Sequence, residues 1–169
     1  ARSTGQTGHR KTEVQRPSCQ GGFCRRTENL GMCFLTTPSE QYRESFLLGA
    51  AEFDAERRLD STYAVCLGYS LKTLERQFSS FIHSLSNLAD NSDSSTNWYV
   101  DQVLWLIDKE EYIGQASIRP ELCTSYLITY GGHIGYSIRP SKRRQGYGKK
   151  ILALSLEKSR DIGLRKILV

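Results

Sequence analysis

The sequence predicts an α+β domain, a central and mostly antiparallel sheet flanked by helices. Three observations carry this. Apolar residues recur at helical spacing between residues 38 and 88. They alternate with polar ones at a period near two between residues 98 and 139, with polar turns between the runs. A basic loop with two glycines then leads into a third helical pattern that runs to residue 162.

Taken in order, residues 1–31 hold only Val14, Phe23 and Leu30 as large apolar side chains. That is too little to offset the entropy of ordering, so this segment reads as a flexible basic tail and 32–169 as the domain. Residues 32–37, MCFLTT, read as a short strand. In TPSE (37–40), Thr37 is the expected helix cap, Pro38 lies in the first turn and Glu40 closes a capping box. Tyr42, Phe46, Ala50 and Phe53 mark the buried side of that helix. Leu71, Leu74, Phe78, Phe81, Ile82, Leu85 and Leu88 mark a second, and residues 91–96 are a polar loop.

Residues 98–108 are rich in aromatic and β-branched side chains and read as a strand, with 112–119 as its hairpin partner. After a connection ending in Gly131 and Gly132, residues 133–139 form another strand. Its Ile134, Tyr136 and Ile138 share one face; His133, Gly135, Ser137 and Arg139 share the other. The last helix, about 148–162, is expected to pack through Tyr147, Ile151, Leu154 and Ile162, with Gly163 at its C-cap. Residues 166–169 read as the start of a further strand.

The net charge of +5 is concentrated in the tail, where residues 1–31 carry six of the 23 basic and two of the 18 acidic residues. A nucleic-acid-binding tail is one reading of that charge, but Phe23 is its only aromatic residue for stacking, so nucleic acid is not the expected partner. No apolar run approaches the ~18 residues that span a membrane, and residues 1–10 contain no apolar block of a secretory signal. The expected compartment is the cytoplasm, with the five cysteines as reduced thiols. Of His9, Cys19, Cys24 and Cys33, the gap between Cys19 and Cys24 fits some zinc sites but the second ligand pair has no recognised spacing, so no metal is expected.

The chemistry is concentrated in residues 139–150, which hold six basic residues and no acid. Strand, basic glycine loop, helix is an anion-binding order, because free N–H groups and about half a positive charge sit at the helix start. A Walker A loop needs Gly at 143 and Ser or Thr at 150, where this chain has Arg143 and Lys150. A dinucleotide fingerprint needs a third glycine where Ile151 stands, and a kinase glycine loop lies between two strands. Arg143-Arg144-Gln145-Gly146-Tyr147-Gly148 instead matches Arg/Gln-x-x-Gly-x-Gly/Ala. With its flanks, GGHIGYSIRPSKRRQGYGKKIL, it resembles the fourth strand, pyrophosphate loop and third helix of the GCN5-related N-acetyltransferases (GNAT), and the order of elements from residue 32 onward is similar to that family's.

The resemblance implies an acyl-CoA N-acyltransferase fold that breaks off within its fifth strand. It also implies acetyl-CoA as co-substrate, with direct acetyl transfer to a small-molecule or protein amine. Ile138 and the backbone around Arg139 would hold pantetheine, while Arg143, Arg144, Gln145, Gly146, Tyr147, Gly148 and Lys149 would wrap the pyrophosphate. His133, at the start of that strand, is the candidate base or water-orienting group, with Glu121 and Glu111 behind it. Asp54, Glu56, Asp60 and Glu121 lie in the segments that would meet the acceptor. The family's thiolate-protonating Tyr has no counterpart by position here, so the resemblance implies either a truncated chain or a second copy that completes the channel as a homodimer. The competing reading is a non-catalytic module that binds CoA without turnover.

Overall fold

The computed structural model describes residues 32–90 and 102–169. The expected tail, the polar loop 91–96, the first residues of the 98–108 strand, and His9, Cys19 and Cys24 lie outside the described residues. Four strands form one antiparallel sheet in the order β1 (Phe34–Thr36), β2 (Gln102–Asp108), β3 (Glu111–Ile118), β4 (Ile134–Ile138). Helices α1 (Arg43–Ala55), α2 (Leu71–Arg76) and α3 (Phe78–Asp90) are the helical part between β1 and β2, and α4 (Tyr147–Asp161) follows β4.

Strand alternation sorts the core into two layers. Val103, Trp105, Ile107 and Tyr112 face α1 and α3, where Phe46 stacks on Trp105 at 4.6 Å between ring centres. Leu106, Ile113 and Ala116 face α4, against Tyr147 and Ile151. Lys109 and Glu110 both have positive φ (49° and 68°), which makes the β2–β3 hairpin a two-residue turn with the twist such hairpins need. A register shift at Leu106/Ile107 leaves Ile113 as the extra residue of a bulge.

Several expected boundaries move. Ser39, not Thr37, is the cap: its hydroxyl accepts Gln41 N–H at 3.3 Å and opens a 3-10 turn, Glu40–Tyr42, ahead of α1. The single expected second helix is two, broken at Gln77 (φ −124°, ψ 35°). Arg43 of α1 takes the Glu75 carbonyl at 2.6 Å, an acceptor at the end of α2. Residues 166–169 add no strand: their link to β4 is His133 N–H to Leu168 C=O at 2.8 Å, and Leu168 N–H goes to the His133 ring instead of a ladder partner. Ile162 is 43% exposed rather than core, because α4 has ended; Ser155 and Ser159 are buried in its place. Gly163 (φ 89°) closes α4 as expected, with Gly163 N–H on Arg160 C=O and Leu164 N–H on Ser159 C=O.

Gly114 marks the closest approach of β3 to β4: a Cβ there would lie 2.3 Å from the Ser137 carbonyl oxygen. That oxygen belongs to backbone and cannot swing away. Gly114→Ala is expected to cost about 2 kcal/mol of unfolding free energy, measured by urea denaturation.

Candidate functional site

β4 is an edge strand, and its alternation decides which main-chain groups are free. Arg139 N–H bonds Ile113 C=O at 2.9 Å, and Arg119 N–H bonds His133 C=O at 2.8 Å. The odd residues of β4 therefore face β3, while Ile134, Tyr136 and Ile138 turn their N–H and C=O groups to the open edge. This keeps Ile138 among the expected cofactor contacts through its N–H. It corrects the reading for Arg139, whose N–H is in the ladder and whose C=O accepts Lys142 N–H at 2.9 Å.

The Arg139 side chain is an anchor. It is 7% exposed and reaches Glu52 of α1 at 2.7 Å and Glu111 at 3.1 Å. Lys142 adds a second contact to Glu111 at 2.7 Å. Glu52 also accepts the Ser141 N–H at 2.9 Å and the Ser141 hydroxyl at 3.0 Å. Burial opposes the charge on Glu52, but the hydrogen bonds from Arg139 and Ser141 outweigh it and hold the carboxyl below its ordinary pKa. Glu111, one of the lesser candidates for a base, is thereby committed to structure.

Arg143 is committed in the same way. Its two Nη atoms meet the two oxygens of Glu56 at 3.0 and 2.8 Å, and its Nε donates to Ile138 C=O at 3.1 Å. This pairing also removes Glu56 from the acidic groups expected to meet an acceptor. Tyr147 is buried and donates its hydroxyl to Asp108 at 2.8 Å; burial, then the Asp108 carboxylate, push its pKa up. Its side chain pins the start of α4 to the end of β2, which leaves only its N–H for a ligand.

What remains at the loop is a run of main-chain donors. Among the described residues, the N–H groups of Arg144, Gln145, Gly146, Tyr147 and Gly148 have no acceptor, whereas Lys142, Arg143, Lys149 and Lys150 donate to Arg139, Pro140, Gly146 and Gly146. Arg144 (φ 60°) and Gly146 (φ 93°) are left-handed, the backbone conformation that alternates with right-handed residues in anion-binding nests of N–H groups. Gln145 braces the turn by donating to Ser141 C=O at 2.9 Å. The side chains of Arg144 and Lys149 are exposed and make no ion pair among the described residues. A Cβ on Gly148 would have nothing closer than Tyr136 at 3.9 Å, so the protein itself has no packing reason to exclude a side chain there.

His133 sits at the first turn onto β4, with Nδ1 accepting Leu168 N–H at 3.0 Å. In a neutral ring this puts the proton on Nε2, which then donates. The arrangement suits holding a water better than taking a proton. Glu121 is exposed on the β3–β4 connection.

Sequence reasoning missed a cavity on the α1 side of β3 and β4. Gln115 Nε2 and Ser137 Oγ both donate to Ser61 C=O, at 2.7 and 2.9 Å, and tie the 3-10 turn Leu59–Thr62 over the sheet. Beside it lies a polar cavity of about 410 Å³ that reaches β4 at Gly135, Tyr136 and Ser137. Polar residues on the inward face of a strand (Gln115, Ser117, Ser137) were the available signal. Among the described residues no cluster of metal-ligating side chains is present, and no helix is long and apolar enough to cross a membrane.

The open edge of β4 thus runs into a set of N–H groups without acceptors at the start of α4. The acetyltransferase (GNAT) family model matches residues 69–169, and the chain belongs to that family. Comparisons with curated proteins and with solved structures give no match.

The Glu52 contacts give a pH signature. The folded pKa lies below the unfolded one, so the stabilisation is complete above the ordinary carboxylate range and is lost as pH falls through the folded value. Glu52→Gln is expected to lose about 1 to 2 kcal/mol at pH 7, less than a fully buried pair because its side chain is 27% exposed. Denaturation at pH 7 and at pH 3 checks this: the gap between the two proteins narrows at the lower pH.

Proposed function

We propose that the protein is an acetyl-CoA-dependent N-acetyltransferase that acts on a primary amine by direct transfer. The observation that carries this is the run of unpaired N–H groups from Arg144 to Gly148 next to the open edge of β4. The cradle takes the pyrophosphate, and Arg144 and Lys149 supply charge around it. The pantetheine amides pair with Tyr136 and Ile138 as an added strand. The thioester then lies along the edge that the polar cavity adjoins.

The incoming ammonium first loses a proton to water, which His133 Nε2–H helps to hold in place. The amine attacks the thioester carbonyl, and N–H groups on the β4 edge stabilise the oxyanion. The C–N bond forms, the C–S bond breaks, and the sulfur leaves with the second proton that the nitrogen gives up.

Calorimetric titration with acetyl-CoA, followed by thiol release over an amine panel, tests the reading. Binding with release supports it. Binding without release makes the protein a CoA-binding module, and absence of binding by the folded protein overturns both. Gly148→Ala is expected to keep its stability, because its methyl meets open space, and to weaken acetyl-CoA binding about tenfold by standing in the cradle. Light scattering tests the expected homodimer: pairing through the β4 edge is expected to dissociate when acetyl-CoA takes that edge.

A further inference from the structure

We infer that His133 is a proton-operated latch for residues 164–169, the segment that follows α4. Leu164 N–H still belongs to the helix end, where it bonds Ser159 C=O at 3.0 Å. Beyond it, among the described residues, two hydrogen bonds tie the segment to the rest of the molecule, and both go to His133. The His133 N–H donates to Leu168 C=O at 2.8 Å, and its Nδ1 accepts Leu168 N–H at 3.0 Å. The main chains touch at the same point: a Cβ on Gly132 would lie 2.6 Å from the Leu168 oxygen, and Gly132 is left-handed (φ 64°). Leu164 and Ile167 are half-buried, while Arg165, Lys166, Leu168 and Val169 are exposed. A stretch with so little burial and so few hydrogen bonds opens at a low free energy, so each bond counts.

The two bonds respond differently to a proton. The main-chain bond does not titrate. Nδ1 accepts only while it carries no proton, so the second bond is present with the neutral ring and lost with the charged one. Protonation sets an N–H at Nδ1 against the N–H of Leu168, donor against donor. Histidine is the side chain that ordinarily changes charge between about pH 5 and 8. The charged and titratable side chains on the elements that meet here are Arg119 after β3, Glu121 and Tyr130 on the β3–β4 connection, and Arg165 and Lys166 on the segment itself. Arg119 donates to Gly132 C=O at 3.4 Å and to the Tyr63 hydroxyl at 3.5 Å. The three cations offer no acceptor to Leu168 N–H in place of Nδ1. On the transferase reading, on which this consequence rests, the latch also sets the ring that holds the water. Leu168 N–H keeps Nδ1 an acceptor and Nε2 a donor, and its loss frees the ring to turn. His133 lies before β4 and the cradle after it, so opening the latch leaves the cradle as it was.

Amide exchange of residues 164–169 in the full chain, read as protection relative to the intrinsic rate at each pH, tests the latch. Protection is expected to fall about tenfold between pH 8 and pH 5, the worth of one hydrogen bond. His133→Asn sets an amide oxygen close to where Nδ1 stood and does not titrate, so its protection is expected to be the same at both pH values. His133→Phe has no acceptor and is expected to lack protection at both. Nitrogen NMR of the ring is expected to show its proton on Nε2 at pH 8. Thermal melting followed by circular dichroism checks that each variant is folded. Equal protection at both pH values in the unaltered protein, or full protection in His133→Phe, overturns the latch. Leu168→Pro removes the donor and leaves the imidazole in place. It is expected to lower kcat for thiol release about threefold at pH 8 and to leave the affinity for acetyl-CoA unchanged. An unchanged kcat, or a loss of acetyl-CoA affinity, overturns the link between latch and turnover. The exchange measurement needs no ligand, so failure of acetyl-CoA to bind removes the transferase reading while exchange still decides the latch.

Discussion

One buried guanidinium holds the functional end of this molecule together. Arg139 leaves β4 and contacts Glu52 on α1 and Glu111 at the β2–β3 turn, and Glu52 in turn grips Ser141 in the loop. A charge with 7% exposure is costly unless its donors are met, and here both neighbouring carboxylates meet them. Because the contacts belong to three separate elements, the loop cannot shift without breaking several charge-assisted hydrogen bonds. The cradle is rigid for that reason, although almost none of its own N–H groups bond to the protein.

The basic residues of the loop divide between anchoring and display. Arg139, Lys142 and Arg143 have their charge matched by Glu52, Glu111 and Glu56. Tyr147 fixes the helix start through Asp108. With those groups spent, Arg144, Lys149 and five main-chain N–H groups are left facing outward beside the helix dipole. Donors held in place in advance would lose little ordering entropy on taking the proposed pyrophosphate.

A single geometric fact separates the two aspects of β4. Its even residues present main-chain groups to the edge and side chains to α4, while its odd residues bond to β3 and send Gly135 and Ser137 to the cavity side. The absence of a side chain at Gly135 keeps the floor low there, where a Cβ would meet the Ser117 hydroxyl at 3.1 Å. The open edge and the polar cavity thus belong to different aspects of one strand.

The sequence alone determined the class of fold, the position of the loop and the facing of β4, because these follow from local periodicity and from two glycines flanking Tyr147. It could not show that Ser39 rather than Thr37 opens α1, or that the Leu71–Leu88 stripe breaks at Gln77, where the Glu75 carbonyl just before it bonds to Arg43 of another helix. Nor could it separate anchoring from displayed cations: Arg143 and Arg144 are neighbours of the same type, yet one is bound to a carboxylate 87 positions away and the other faces solvent. The imidazole of His133 is likewise decided by Leu168, 35 positions on. Only tertiary structure settles such questions, because a side chain is free or spent according to which distant partner the fold brings within hydrogen-bond reach.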